Sequence, residues 1–148
     1  MEKLSRHQVR EKAVQSLYQL VINQEDFTSE AAVDFALEAG NDPETGFQGV
    51  IDPYLVELVK GVVANQAAID DLISQYLSKD WSLDRIANID LTILRLAFYE
   101  VLFIEEDVVP AKVAVNEAID LAKTFSDDKS RVFISGVLAK LLDRQKEN

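Results

Sequence analysis

Residues 88–104, NIDLTILRLAFYEVLFI, constrain the fold more than any other stretch of this chain. Ile89, Leu91, Ile93, Leu94, Leu96, Ala97, Phe98, Val101 and Leu102 spread around a helix instead of lining one side of it. A helix that is apolar all round belongs in the centre of a structure, packed by others. The rest of the chain must therefore supply the helices that cover it.

It does so with ordinary amphipathic patterns. Ser5 can cap a helix over 6–23, whose apolar face is Val9, Ala13, Val14, Leu17, Leu20 and Val21. A break at 25–28 precedes a second helix, with Ser29 as its cap, that runs to about 39 and is ended by Gly40. Residues 40–49, GNDPETGFQG, are a loop by composition and the natural place to divide the chain. One long helical pattern then covers 53–77, weakened slightly by Gly61. After a break at 78–80, Ser82 can cap a short turn through Ile86. Pro110 is placed to be the first residue of the next helix, because its missing N–H would be unpaired there anyway. Ala114, Val115, Ala118, Ile119, Ala122 and Phe125 form that helix's apolar side. Ser126, Asp127 and Asp128 offer acceptors to cap a last helix over 129–145. Five glycines and three prolines are too few turn residues for a many-stranded sheet, and no segment reads as a strand. The expected fold is all-α: about seven helices in two small bundles that share the central 88–104 helix, forming a single domain over 1–148.

Composition narrows the function. The chain has no cysteine and one histidine, so disulfides, thiol catalysis and an ordinary zinc site are not expected. Nothing resembles a secretory leader or a membrane span, which suits a cytoplasmic protein. No acid–base spacing, metal-ligand spacing or glycine-rich phosphate loop is present, so neither an enzyme nor a cofactor is expected. The net charge of −11 argues against nucleic acid when taken alone. Its distribution changes that: residues 1–12 hold four bases and two acids, whereas residues 13–59 hold nine acids and no base.

Three constellations carry chemistry. Arg6 and Arg10 continue the stripe of Ala13 and Leu17, so the face that is apolar downstream is basic at its start. Such a stripe suits phosphate, although arginines in an acidic chain also pair with acids on neighbouring helices. In the turn TFSDDKSR (124–131), Lys123, Lys129 and Arg131 are flanked by Phe125 and Phe133. Aromatics interleaved with cations can stack bases and hold phosphates, while the plain alternative is an acid-capped helix start beside two core phenylalanines. Finally, Asn88, Thr92, Arg95 and Tyr99 share one stripe of the otherwise apolar helix. Arg95 either anchors a partner protein with Tyr99 or makes an internal ion pair, with Glu100 or Glu117 as candidates.

Three segments together resemble the NusB family of bacterial transcription antitermination factors: REKAVQSLYQL (10–20), IDLTILRLAFYEVLF (89–103) and VPAKVAVNEAIDLAKTFSDDKSRVFISGVL (109–138). The resemblance implies an all-helical fold and a non-enzymatic role. It implies binding of the single-stranded boxA element of ribosomal RNA operon transcripts, together with the small-subunit ribosomal protein NusE, and entry into the RNA polymerase antitermination complex. Carried over by position, it implies RNA contacts from Arg6, Arg10, Lys123, Lys129, Arg131 and Phe133, with Tyr76 as a further candidate, and NusE contacts from Tyr18, Asp90 and Arg95. It implies no membrane and no cofactor, and the chain is expected to be a monomer or a weak homodimer. Where family members often carry further bases after the first arginine, this chain has His7 and Gln8, and where they commonly have asparagine it has Ser135. Fewer cations mean a shallower salt dependence. Two rivals differ in kind. One is a protein-interaction adaptor that never touches RNA. The other is the NusB-like accessory domain of an RNA cytosine methyltransferase, for which a chain ending at Asn148 has no room.

Overall fold

The structure, a computed structural model, describes residues 3–23, 28–38 and 51–147. The expected loop at 40–49, the end of the second helix at Gly40 and most of the break at 25–28 lie outside the described residues. Among those described there are seven α-helices and no strand: α1 Arg6–Ile22, α2 Ser29–Glu38, α3 Pro53–Ala64, α4 Gln66–Gln75, α5 Asn88–Phe103, α6 Ala111–Phe125 and α7 Asp128–Glu147, with a 3-10 turn at Leu83–Arg85. The chain divides into two compact units, Met1–Ala64 and Asn65–Asn148.

In the first unit α1 packs against α2 and α3, and α2 packs against α3. The buried faces follow helical spacing: Val9, Ala13, Val14 and Leu17 on α1, Ala32, Val33, Ala36 and Leu37 on α2, Leu55, Leu58, Val59 and Val62 on α3. The caps differ in detail from expectation. Thr28, not Ser29, caps α2, its Oγ1 accepting from the Ala31 N–H at 3.1 Å. Asp52 caps α3, its Oδ1 accepting from the Tyr54 N–H at 2.8 Å, with Pro53 at the first helical position.

The long helix expected over 53–77 is two helices. The chain leaves helical geometry at Asn65 (φ −111°, ψ 13°) and resumes at Gln66. The apolar period hides this break, because Val62 and Ile69 stand seven residues apart, which is also the spacing of two uninterrupted turns. Gly61, the residue that weakened the pattern, lies inside α3 and is not where the helix stops.

In the second unit α5 packs against α4, α6 and α7. Every residue from Asp90 to Val101 is buried, as a helix apolar all round requires. Phe98, Ile93, Leu94 and Leu96 are almost wholly enclosed, and burying a side chain of this size stabilises by about 1.5–3 kcal/mol. Pro110 is the cap residue (φ −58°, ψ 141°) and Ala111 the first helical one. Glu106, in the turn before this helix, accepts from the Ala111 N–H at 3.1 Å. At α7 the capping acceptor is Asp127, whose Oδ1 takes the Ser130 N–H at 2.8 Å. Among the described residues no helix is long and apolar enough to cross a membrane.

Candidate nucleic-acid interface

The basic start of α1 rests on a reciprocal cap. Ser5 Oγ accepts from the Gln8 N–H at 3.1 Å, and Gln8 Oε1 accepts from the Ser5 N–H at 2.9 Å. Arg6 sits in the first turn, where the helix dipole opposes a cation by about 0.3–1 kcal/mol. Two contacts offset this. Its Nη1 is 3.6 Å from Asp52 Oδ1, and its guanidinium lies 4.3 Å from the centre of the Tyr54 ring. With 59 % of the side chain exposed, such a pair is worth at most about 1 kcal/mol. Arg10 differs: it is only 3 % exposed and is not without a partner. The stripe read from the sequence is thus split into a surface cation and an interior one.

In the second unit the turn between α6 and α7 presents three bases. Lys123 is 3.9 Å from Asp120 and Arg131 is 3.3 Å from Asp128, both pairs one helical turn apart and open to solvent. Lys129 is exposed and forms no ion pair among the described residues. The hydrogen bonds from Ser130, the backbone N–H first, hold the Asp127 carboxyl below the usual carboxylate range. Ser126 faces the other way: its hydroxyl donates to Asp90 Oδ1 at 2.6 Å.

Two of the aromatic candidates meet. Tyr76, at the end of α4, and Phe133, on α7, both line a surface cleft of about 360 Å³. Tyr76 packs edge-on against Phe98, at 5.6 Å and 75°. Phe133 faces Trp81 at 6.2 Å with the rings tilted by 52°. Lys123, Lys129 and Arg131 are not among the residues that line this cleft. Sequence reasoning missed Trp81, Arg85, Lys140 and Arg144. The Arg85 guanidinium is 5.8 Å from the centre of the Trp81 ring and that of Arg144 5.5 Å from the Tyr76 ring, while Lys140 Nζ is 3.4 Å from the Tyr76 carbonyl oxygen. A signal did exist: the chain's single tryptophan stands in a polar helix break between Asp80 and Ser82.

The partner-protein candidates fall into two kinds. Tyr18 is half-buried on α1. Asp90 and Arg95 are buried on α5, Asp90 holding Ser126. Arg95 makes a two-pronged ion pair, Nε to Asp70 Oδ1 at 2.8 Å and Nη2 to Asp70 Oδ2 at 2.9 Å. The internal-pair alternative holds for Arg95, but the acid comes from α4, not from Glu100 or Glu117. Thr92 completes the polar stripe by donating to the Asn88 carbonyl at 2.7 Å. Among the described residues no cluster of histidine, aspartate or glutamate could hold a metal ion. The arrangement offers cations and aromatic faces, which suit binding.

Comparison with known proteins finds relatives over nearly the whole chain. The NusB family profile matches residues 7–143. The transcription antitermination protein NusB of Lactiplantibacillus plantarum is 47 % identical over 142 residues, spanning 96 % of this chain and 97 % of that protein. The solved structure of T. maritima NusB superposes with a TM-score of 0.74 at 33 % identity, covering 94 % of this chain and 91 % of that one. The structure of antitermination factors NusB and NusE in complex with dsRNA shares the fold, with a TM-score of 0.73 at 22 % identity over 95 % of this chain and 99 % of the matched one.

Proposed function

This chain belongs to the NusB family, and from that premise we propose that it is a transcription antitermination factor that binds boxA-type single-stranded RNA together with NusE. In this reading it joins the RNA polymerase antitermination complex in the cytoplasm, as a monomer or weak homodimer, and acts by binding alone, as a single functional domain over 1–148. The observation that carries the RNA part is how loosely the surface cations are held. Arg6, Lys123 and Arg131 sit in exposed or half-exposed pairs at 3.6, 3.9 and 3.3 Å, and Lys129 in none among the described residues. Each can exchange its present acid for an RNA phosphate at little cost. Tyr76 and Phe133 add faces for stacking. Arg10, being buried, enters as a fixed positive charge behind Arg6 and not as a free arm. Toward NusE, Tyr18 is a direct contact from the first unit, and Asp90 and Arg95 shape the second unit's own surface from within.

A molecule with net charge −11 should bind RNA weakly by itself, and a basic partner supplies the missing field. The test is anisotropy of a labelled boxA-like RNA, against a scrambled one, with and without NusE. The expected result is a large gain in affinity for boxA when both proteins are present, and no gain would sink the mechanism. The adaptor reading draws support from the Arg6–Asp52 pair. It wins if Arg6→Glu combined with Lys129→Glu leaves RNA affinity and its salt slope unchanged.

A further inference from the structure

The cleft between the segment that follows α4 and helix α7 holds more aromatic surface than the fold uses. Trp81 is 42 % exposed and Val132 70 % exposed, so neither is there to fill the core. The 52° tilt leaves Trp81 and Phe133 as a wedge, not a closed stack. A volume of about 360 Å³ is at the small end of small-molecule sites, roughly 300–1,000 Å³, which suits one planar ring system. The charges around it are the second observation. Lys140 lines the cleft, and Arg85 and Arg144 lie against the Trp81 and Tyr76 rings; none forms an ion pair among the described residues, Arg85 donating instead to the Asp80 carbonyl at 3.3 Å. Arg6, Lys123 and Arg131, by contrast, each have an acid partner. An aromatic wedge with cations beside it that sit in no ion pair among the described residues complements a base with its phosphates. A protein side chain would satisfy the wedge but leave the cations idle.

Resting on the RNA reading above, we propose that Trp81 is the stacking face for one unpaired RNA base in this cleft, with Arg85 and Lys140 holding the phosphates on either side of it. Stacking on an indole is tolerant of base identity, so the cleft adds affinity and fixes the path of the strand, leaving sequence choice to hydrogen bonds elsewhere.

Trp81 is the only tryptophan, so indole emission reports on this cleft alone. Fluorescein-labelled boxA-like RNA is titrated into the full chain in the presence of tryptophan-free NusE, with indole emission and fluorescein anisotropy read in parallel. The expected result is quenching that saturates with the anisotropy. Trp81→Ala should weaken binding by about 5- to 150-fold, with Trp81→Phe recovering most of it. Arg85→Ala and Lys140→Ala should each flatten the salt slope by about 0.7. Normal RNA binding with unchanged emission and an unaffected Trp81→Ala overturns the cleft and leaves the family reading standing. Quenching by NusE alone, with Trp81→Ala weakening NusE and not RNA, makes the cleft a protein seat and overturns it too. No RNA binding by the wild-type pair overturns both readings at once.

Discussion

Asp70 shows why the polar residues of α5 were the hardest to place. Helical register gives the neighbours of Arg95 on its own helix, and the sequence offered Glu100 and Glu117 as candidate partners. The true partner is 25 residues away on α4. Its position depends on where α4 begins, and the break at Asn65 was invisible in the apolar period. The side chains of the pair are 11 % and 20 % exposed, so solvent screens it only in part. Asp70→Ala strands a guanidinium against an apolar helix and should approach the roughly 3–5 kcal/mol lost when a buried pair is broken. Replacing both groups, Asp70→Leu with Arg95→Met, should recover most of that, because the cost lies in the orphaned charge. Urea unfolding of the two variants checks this. An equal loss in both would mean the ion pair itself is the source of stability. The burial of Arg10 was illegible for a related reason: a stripe gives the direction of a side chain but not how far the surrounding structure rises around it.

At the scale of the element, the helices were legible because their apolar spacing is regular, and the caps were legible only in kind. Short acceptor side chains did stand at the helix starts, but which of two or three adjacent ones turns inward is decided by the packing. Ser126 was one of three candidates for α7 and is taken by Asp90, leaving Asp127 to cap. The Asp127 carboxyl is held below its ordinary value by hydrogen bonds it makes only when folded. Its contribution is therefore fully present above the unfolded carboxylate value of about 3.9 and is lost as pH falls through the lower folded value. Asp127→Asn keeps a good cap without the charge. Its melting temperature should fall less than that of the wild type between pH 5 and pH 3, as thermal melts by circular dichroism can show. The box at α1 makes a different trade. Gln8 closes the cap in the segment where the family resemblance leads one to expect further bases. Gln8→Arg should lower stability by about 0.5–1 kcal/mol through the lost acceptor and an added cation at the helix start. The same change should steepen the salt slope of RNA binding by about 0.7 if the new cation reaches a phosphate. Measuring both on one variant separates a structural role for Gln8 from a simple lack of charge.

For the whole molecule, the two demands on charge run in opposite directions, and this gives the most general prediction. Fold class followed from one stretch, because a helix apolar on all sides can only be central, and α5 is buried from Asp90 to Val101. The candidate site followed only in fragments, because an interface is assembled from residues far apart in sequence. Trp81 belongs to a helix break, Lys140 to the middle of α7, and no pattern within either segment points to the other. Net charge, by contrast, is read from composition and acts on the whole chain. At −11 the folded state repels itself, and added salt screens that repulsion. Stability should therefore hold steady or rise between 50 and 200 mM salt. RNA binding should fall over the same range. If Arg6, Lys123, Lys129 and Arg131 each neutralise one phosphate, the slope for a single strand is about −2.8 and a fourfold rise in salt costs roughly fifty-fold in affinity. Denaturant midpoints and RNA titrations in the same buffers test both halves. If salt raises stability yet leaves RNA affinity flat, the surface cations serve only the local acids beside them. Arg6–Asp52, Lys123–Asp120 and Arg131–Asp128 are then the whole of their function.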